Sequence, residues 1–497
     1  MGGSRSVAVG GALLAGLVAV GLTSHGATAH ATGRGRPNVV VVMTDDQRVG
    51  DLSVMHKTRR LLTRHGTTFS NSFVTFSLCC PSRATLLTGE YAHNHRVLSN
   101  DPPHGGYPAY LRKVNPKHTL PVYLHRAGYR TGLVGKFMNS YGVAHPRQIP
   151  RGWDSWQALT MGTDHFMYGY TLNSNGHLQP HDGASSDYQT DVLSKGADRF
   201  VRHSSHGRHP FFLLFTPGAP HEEPDGLFGP HPHRNPRPAP RDLNRFNHKH
   251  LPHLPSYNER KIHDKPPFLR PPPLSTGDKH DLLHLYRSRL ESLLAVDDAV
   301  ERLVQTLRRT GELRRTVIVF TSDNGYLLGE HRQSGKELPY EESMRVPLII
   351  RGPGFPAGAR RRQLAANVDL APTILDLAHA PGSHRMDGTS LLPFARNPHR
   401  GRRRDILFER SPYEGRRFAS VRTPRYVLTR WAHTDFPRFG TELYDLRRDP
   451  HELRNKAGSD RYERVVKKLA PRLRTLRDCK RSQCRGVHGI GPPPAGR

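Results

Sequence analysis

The sequence predicts an α/β protein, a mostly parallel sheet covered by helices on both faces, followed by a smaller α+β lobe. Three observations predict it. Four short apolar, β-branched runs, 38–43, 131–134, 211–215 and 316–320, are spaced by helix-length segments, as buried strands joined by crossovers are. Each run ends in a polar cluster. After about Arg396 the pattern changes to closely spaced strand candidates and a closing amphipathic helix.

The elements follow in order. Run 38–43 leads directly into Asp45-Asp46. Cys79-Cys80-Pro81-Ser82-Arg83, continued by Ala84-Thr85-Leu86-Leu87-Thr88-Gly89, reads as a helix with Pro81 in its first turn and Gly89 as its left-handed stop. The cysteines then sit at the positive dipole end, which attracts anions and lowers a thiol pKa. A second helix is expected over 119–126, with Thr119 capping and Pro121 in the first turn. Run 131–134 leads to Lys136, a helix is expected over 187–202, and run 211–215 leads to His221.

The stretch 217–273 is rich in Pro, His, Arg and Asn and carries His231-Pro232-His233 and His248-Lys249-His250. It is expected to form a solvated excursion over the active-site face. A long helix over 282–309 precedes run 316–320 and Asp323-Asn324. Beyond it, 418–421, 425–429 and 442–445 read as strands of a small antiparallel sheet, and 460–469 as a helix ending before Pro471. The expected division is an export segment at 1–29, a catalytic α/β domain at 30–395 and a C-terminal lobe at 396–497.

The export segment rests on Arg5, an apolar run over 7–22 and the small-residue pattern Ala27-Thr28-Ala29. The run is short and rich in Gly and Ala, and no later segment reaches spanning length, so a secreted protein without a stable membrane span is expected. Cys479 and Cys484 are spaced for a small disulfide loop, worth about 2 kcal/mol in the chain-entropy model. They lack companions at zinc-finger spacing. The formal net charge of +31 reads either as the surface of a chain from a basic proteome or as attraction to polyanions. No nucleic-acid-binding motif accompanies it, and an exported chain does not meet nucleic acid as its intended partner.

Ligands of open α/β sheets gather outside the carboxyl ends of the strands, so Asp45, Asp46, Lys136, His221, Asp323 and Asn324 are expected to converge. Asp45, Asp46, Asp323 and Asn324 offer only hard oxygen donors, which suit Ca2+ or Mg2+ better than zinc. Taken singly, Asp45-Asp46 also reads as a helix cap, Asp323-Asn324-Gly325 as a tight turn, and the paired cysteines as a disulfide or buried filler.

The run from Cys79 resembles the signature of the type I sulfatases, Cys-x-Pro-Ser-Arg followed by Leu-Thr-Gly. The resemblance extends over nearly the whole mature chain, through Gly329-Glu330-His331, Lys336, Tyr340-Glu341, Arg345-Val346-Pro347, Glu442-Leu443-Tyr444-Asp445-Leu446 and Asp449-Pro450. Among sulfatases the chain is most similar to the N-acetylglucosamine-6-sulfatases. That likeness is carried by the Cys79 run, His93-Asn94-His95, Gly135-Lys136-Phe137-Met138-Asn139, Leu294-Ala295-Val296-Asp297-Asp298 and the terminal cysteines.

The resemblance implies an alkaline-phosphatase-like fold and a set of roles. Cys79, the one cysteine with Pro two and Arg four residues downstream, is implied to be oxidised by a formylglycine-generating enzyme to formylglycine (3-oxoalanine) and hydrated to a diol. One diol hydroxyl attacks sulfur and the other then expels sulfate. Asp45, Asp46, Asp323, Asn324 and the modified Cys79 hold one divalent cation, Ca2+ with Mg2+ as the alternative. Arg83 holds the diol, Lys136 and Lys336 clamp the sulfate, and His221 protonates the leaving oxygen. His331 lines the substrate pocket or caps the turn after Gly329.

One departure stands out: many sulfatases have a histidine where this chain has Met138, so another group, or water, must handle the diol's proton. The implied substrate is 6-O-sulfated N-acetylglucosamine of a sulfated glycan. The alternatives are a broad arylsulfatase, a phosphodiester or phosphonate monoester hydrolase of the same superfamily, and a catalytically idle polyanion-binding protein, against which the intact site residues speak.

Overall fold

In the computed structural model the residues described are 1–4, 35–223, 235–400, 404–411, 416–433 and 440–485. The core of the expected export segment, from Arg5 onward, and His231-Pro232-His233 lie outside them. A ten-stranded sheet runs in the order Ala359–Ala366, Gly66–Phe73, Leu348–Arg351, Thr316–Ser322, Asn38–Thr44, Phe211–Thr216, Arg130–Gly135, Ser155–Thr160, Tyr170–Ser174, His177–His181. Asn38–Thr44 lies at its centre, parallel to both neighbours. Antiparallel pairs occur at Leu348–Arg351 and at the edge formed by the last three strands.

The central strands are buried on both sides because their residues alternate between two apolar layers. Val39 and Val41 join helices Cys79–Thr88, Leu120–Arg126 and Leu370–Leu377 on one face. Val40 and Val42 join Gln189–Ser205 and the 34-residue helix Thr276–Arg309 on the other. Four parallel strands held this way present their carboxyl ends to one rim.

The C-terminal sheet is an antiparallel meander of Ile406–Arg410, Arg416–Arg422, Tyr426–His433 and Thr441–Asp445. Helix Asp460–Asp478 covers it with Tyr462, Val465, Leu469, Leu473 and Leu476. This helix corrects the expectation of a stop before Pro471. It runs through the proline, because that row of apolar residues continues on both sides of it and their burial outweighs the lost hydrogen bond. Cys479 and Cys484 are bonded to each other. The small sheet shares a core with the large one: Phe73, Tyr340 and Val346 pack in one cluster with Phe408, Phe418 and Trp431. Among the described residues no helix is long and apolar enough to cross a membrane.

Candidate active site

The site is assembled at the rim where the parallel strands end. Beyond Asn38–Thr44 the chain turns sharply, with Asp46 in the left-handed region at φ 69°. An aspartate is among the few non-glycine types that adopt this conformation readily. Asp45 and Asp46 thereby both reach the site, and Asp46 N–H donates to Asp323 Oδ1 at 3.0 Å, tying two strand ends together.

Helix Cys79–Thr88 is buried along its whole length and ends at Gly89 with φ 69°, the stop the sequence predicts. Cys79, at its first position, places Sγ 3.5 Å from Asp45 Oδ1 and 3.0 Å from Lys336 Nζ. Cys80 faces away, its sulfur accepting from Asn139 N–H at 3.1 Å. One turn on, Arg83 donates to Asp323 Oδ2 at 2.9 Å and to the Lys136 carbonyl at 2.8 Å. The helix mouth does not lower the thiol pKa as expected. Burial, and after it the Asp45 carboxylate, push Cys79 far up, since a thiolate there loses its water and meets a like charge.

Lys136 and Lys336 approach the carboxylates from two sides. Lys136 Nζ donates to Asp45 Oδ2 at 2.6 Å, and Lys336 Nζ donates to Asp46 Oδ1 at 2.6 Å. Burial disfavours ionised Asp45, but Lys136 first, with His221 and Arg83, holds its carboxyl well below the ordinary range. Asp323 is pushed up to about 6 by burial and then by Asp45. His221 brings Nε2 to 3.6 Å from Asp46 Oδ2 while Nδ1 donates to the Glu222 carbonyl at 2.6 Å. Asn324 Nδ2 donates to Asp46 Oδ1 at 2.6 Å, and its Oδ1 is buried with no hydrogen-bond partner.

Ligand atoms of Asp45, Asp46, Cys79 and His221 lie within 4.8 Å of one another. An acidic cluster with an orphaned amide oxygen beside it fits a hard divalent cation.

The sequence-derived residues Asp45, Asp46, Cys79, Arg83, Lys136, His221, Asp323, Asn324 and Lys336 therefore share one place. His331 does not join them. It is fully buried, its Nδ1 is 2.7 Å from Glu259 Oε2 and its ring stacks on Tyr340, so it knits the 217–273 stretch to the loop that carries Lys336. Met138 points into the apolar layer with Phe137 and Cys80.

Two residues escape the sequence reading. Arg289, buried in the long helix, donates to the Asp46 carbonyl at 2.5 Å and the Pro220 carbonyl at 3.2 Å, bracing the loops of Asp46 and His221. His165, from the loop between strands Ser155–Thr160 and Tyr170–Ser174, lies 2.7 Å from Lys136 Nζ and stacks on the His221 ring at 4.1 Å. Neither carries a motif; Arg289 is marked only by being a charge on the buried side of an amphipathic helix.

Gly135 sets the exit of Lys136 from its strand. Its φ is 120°, and a Cβ there would come 2.1 Å from the Thr216 carbonyl oxygen, which accepts from Lys136 N–H at 2.8 Å. Gly135→Ala is expected to cost about 3 kcal/mol through backbone strain and to displace Lys136. Chemical denaturation checks the first part, and a fall in kcat/KM of the remaining folded protein checks the second.

A family model described as Sulfatase matches residues 37–380, and one described as N-sulphoglucosamine sulphohydrolase, C-terminal, matches residues 329–479. The chain is 34% identical over 511 residues to the N-acetylglucosamine-6-sulfatase of Capra hircus, covering 94% of this chain and 88% of that protein. It is 32% identical over 517 residues to the arylsulfatase of Volvox carteri, covering 94% and 78%. A solved structure of a protein in complex with its substrate D-glucosamine-2-N,6-O-disulfate superposes with a TM-score of 0.72 at 26% identity, covering 88% of this chain and 97% of that one.

Proposed function

The chain belongs to the sulfatase family and is a sulfuric ester hydrolase; from that premise we propose that it is an exported enzyme that removes 6-O-sulfate from N-acetylglucosamine of a sulfated glycan. The observation that carries the reading is the convergence around Cys79 of three carboxylates, two lysines, an arginine and a histidine from the strand ends, the Cys79 helix and the Lys336 loop. The sugar assignment is supported by the likeness to N-acetylglucosamine-6-sulfatases and to a protein solved with a 6-O-sulfated glucosamine. Export is supported by the apolar run over 7–22 with its small-residue site.

Oxidised to formylglycine by a maturation enzyme, Cys79 would supply a hydrated aldehyde as nucleophile, a role consistent with burial that keeps the bare thiol protonated. Asp45, Asp46, Asp323 and Asn324 would hold Ca2+ (or Mg2+), which supplies positive charge to polarise the sulfate. Lys136 and Lys336 hold sulfate oxygens at the mouth of helix Cys79–Thr88, whose positive dipole end adds to the field. Arg83, paired with Asp323 and facing Asp45, keeps the carboxylates apart and aligned. His221 stands with Nε2 toward the site and, once its ring is protonated against the opposing effect of burial, donates that proton to the leaving sugar oxygen, a task worth about 10²–10⁴-fold.

The basic surface would raise the local concentration of an anionic oligosaccharide, an effect screened by salt. kcat/KM for a 6-O-sulfated N-acetylglucosamine terminus is therefore expected to exceed that for an aryl sulfate, with an advantage that shrinks as salt rises. A panel of sulfated oligosaccharide, aryl sulfate and phosphate esters, run at low and high salt, tests this. Aryl preference at both, with no sulfate released from the sugar, leaves a sulfatase and removes the glucosamine assignment.

A further inference from the structure

We propose that His165 is a positioning residue that holds Lys136 in its sulfate-clamping place, as a neutral imidazole accepting a proton of the ammonium group through Nε2. The proposal rests on the reading of Lys136 as a sulfate clamp.

A lysine ammonium has three donors and no acceptor. At Lys136 one goes to Asp45 Oδ2 at 2.6 Å and a second to His165 Nε2 at 2.7 Å. The Asp164 carboxylate, at 3.7 Å, lies beyond hydrogen-bond distance. Two fixed acceptors in different directions define where the third N–H points. With Asp45 alone, the ammonium is free to swing about a single carboxylate oxygen, and a clamp that swings loses the orientation on which transition-state contacts depend. A neutral acceptor does this better than a second carboxylate would, because it fixes the ammonium without cancelling the charge the sulfate needs. Burial, and then Lys136 itself, keep the His165 ring neutral.

His165 is itself fixed. Buried Gln189 donates from Nε2 to the Phe166 carbonyl at 2.8 Å and accepts from Gly218 N–H at 2.9 Å. One amide thus joins the loop of His165 to the loop of His221, and the two rings stack at a centroid distance of 4.1 Å. Position 138 cannot share the task, since Met138 is turned into the core.

Two substitutions separate acceptance from packing. His165→Phe keeps an aromatic ring against His221 and removes the acceptor, while His165→Gln keeps an acceptor oxygen and removes the ring. In calcium-loaded enzyme with modified Cys79, H165F is expected to lower kcat/KM about 10²-fold and H165Q to recover most of that. Inorganic sulfate, titrated calorimetrically, should bind H165F about tenfold more weakly than the parent. In a Lys136→Ala background H165F should change sulfate affinity no further. If H165F is as active as the parent, or H165Q is as impaired as H165F, or the loss persists in the Lys136→Ala background, the proposal is wrong. If Lys136→Ala alone leaves sulfate affinity unchanged, the clamp reading itself falls.

Discussion

Cys79→Ala is expected to abolish turnover, by roughly 10⁴–10⁶-fold as for loss of a covalent nucleophile, while the neighbouring Cys80→Ala retains most of it. The two thiols are adjacent in sequence and equally buried, so the contrast rests on direction. Cys79 Sγ faces Asp45 and Lys336, whereas Cys80 Sγ sits under Asn139, on the far side of the helix start. Removing Cys80 deletes one buried sulfur, a packing loss of about 1 kcal/mol that shows in thermal melting more than in rate. Steady-state assays of both variants, with mass spectrometry of the residue 79 peptide from the parent, decide the matter. Full activity in Cys79→Ala would sink the nucleophile assignment, and an unmodified thiol in fully active parent enzyme would sink the aldehyde.

Asp46→Ala should remove bound calcium and lower kcat by about 10³-fold or more, since the main stabiliser of sulfate charge goes with the metal. It should also cost about 3 kcal/mol, because Lys336 then keeps its mostly buried ammonium without its partner. The loss of metal separates two accounts of the residue: as a mere turn with φ 69°, Asp46 replaced by Ala would lose stability but change little in affinity for metal. Elemental analysis of the purified variant, a calcium titration and a denaturation curve measure the three quantities. Stoichiometric zinc with neither calcium nor magnesium in active parent enzyme would overturn the hard-cation reading.

The four central strands were legible because burial on both faces demands unbroken apolar runs, and each run points at its own polar cluster. The outer strands were not. Gly66–Phe73, next to the edge, and edge strand Ala359–Ala366 carry Thr, Ser, Asn and Arg at half-buried or exposed positions, where no periodic apolar signal is required. Edge strand His177–His181 even contains Pro180, which is tolerated because no strand among the described residues pairs beyond it.

At the site, chemistry concentrated at strand ends could be read off, but His165 could not. It comes from a hairpin loop, and one histidine among 32 becomes distinctive only when its distance to Lys136 is known. The thiol pKa went the other way from expectation because dipole arguments hold for an exposed helix end, and Cys79 is wholly buried.

The shared core between the two sheets makes the site depend on residues far along the chain. Lys336 lies on a segment whose far end is held by residues made about a hundred positions later. Tyr340 donates to Glu442 at 3.1 Å, and Glu341 N–H donates to Glu452 at 2.8 Å. Without those residues the segment that carries Lys336 loses two of its anchors. Removing the chain from Glu442 onward is therefore expected to abolish activity although every residue of the site is still present.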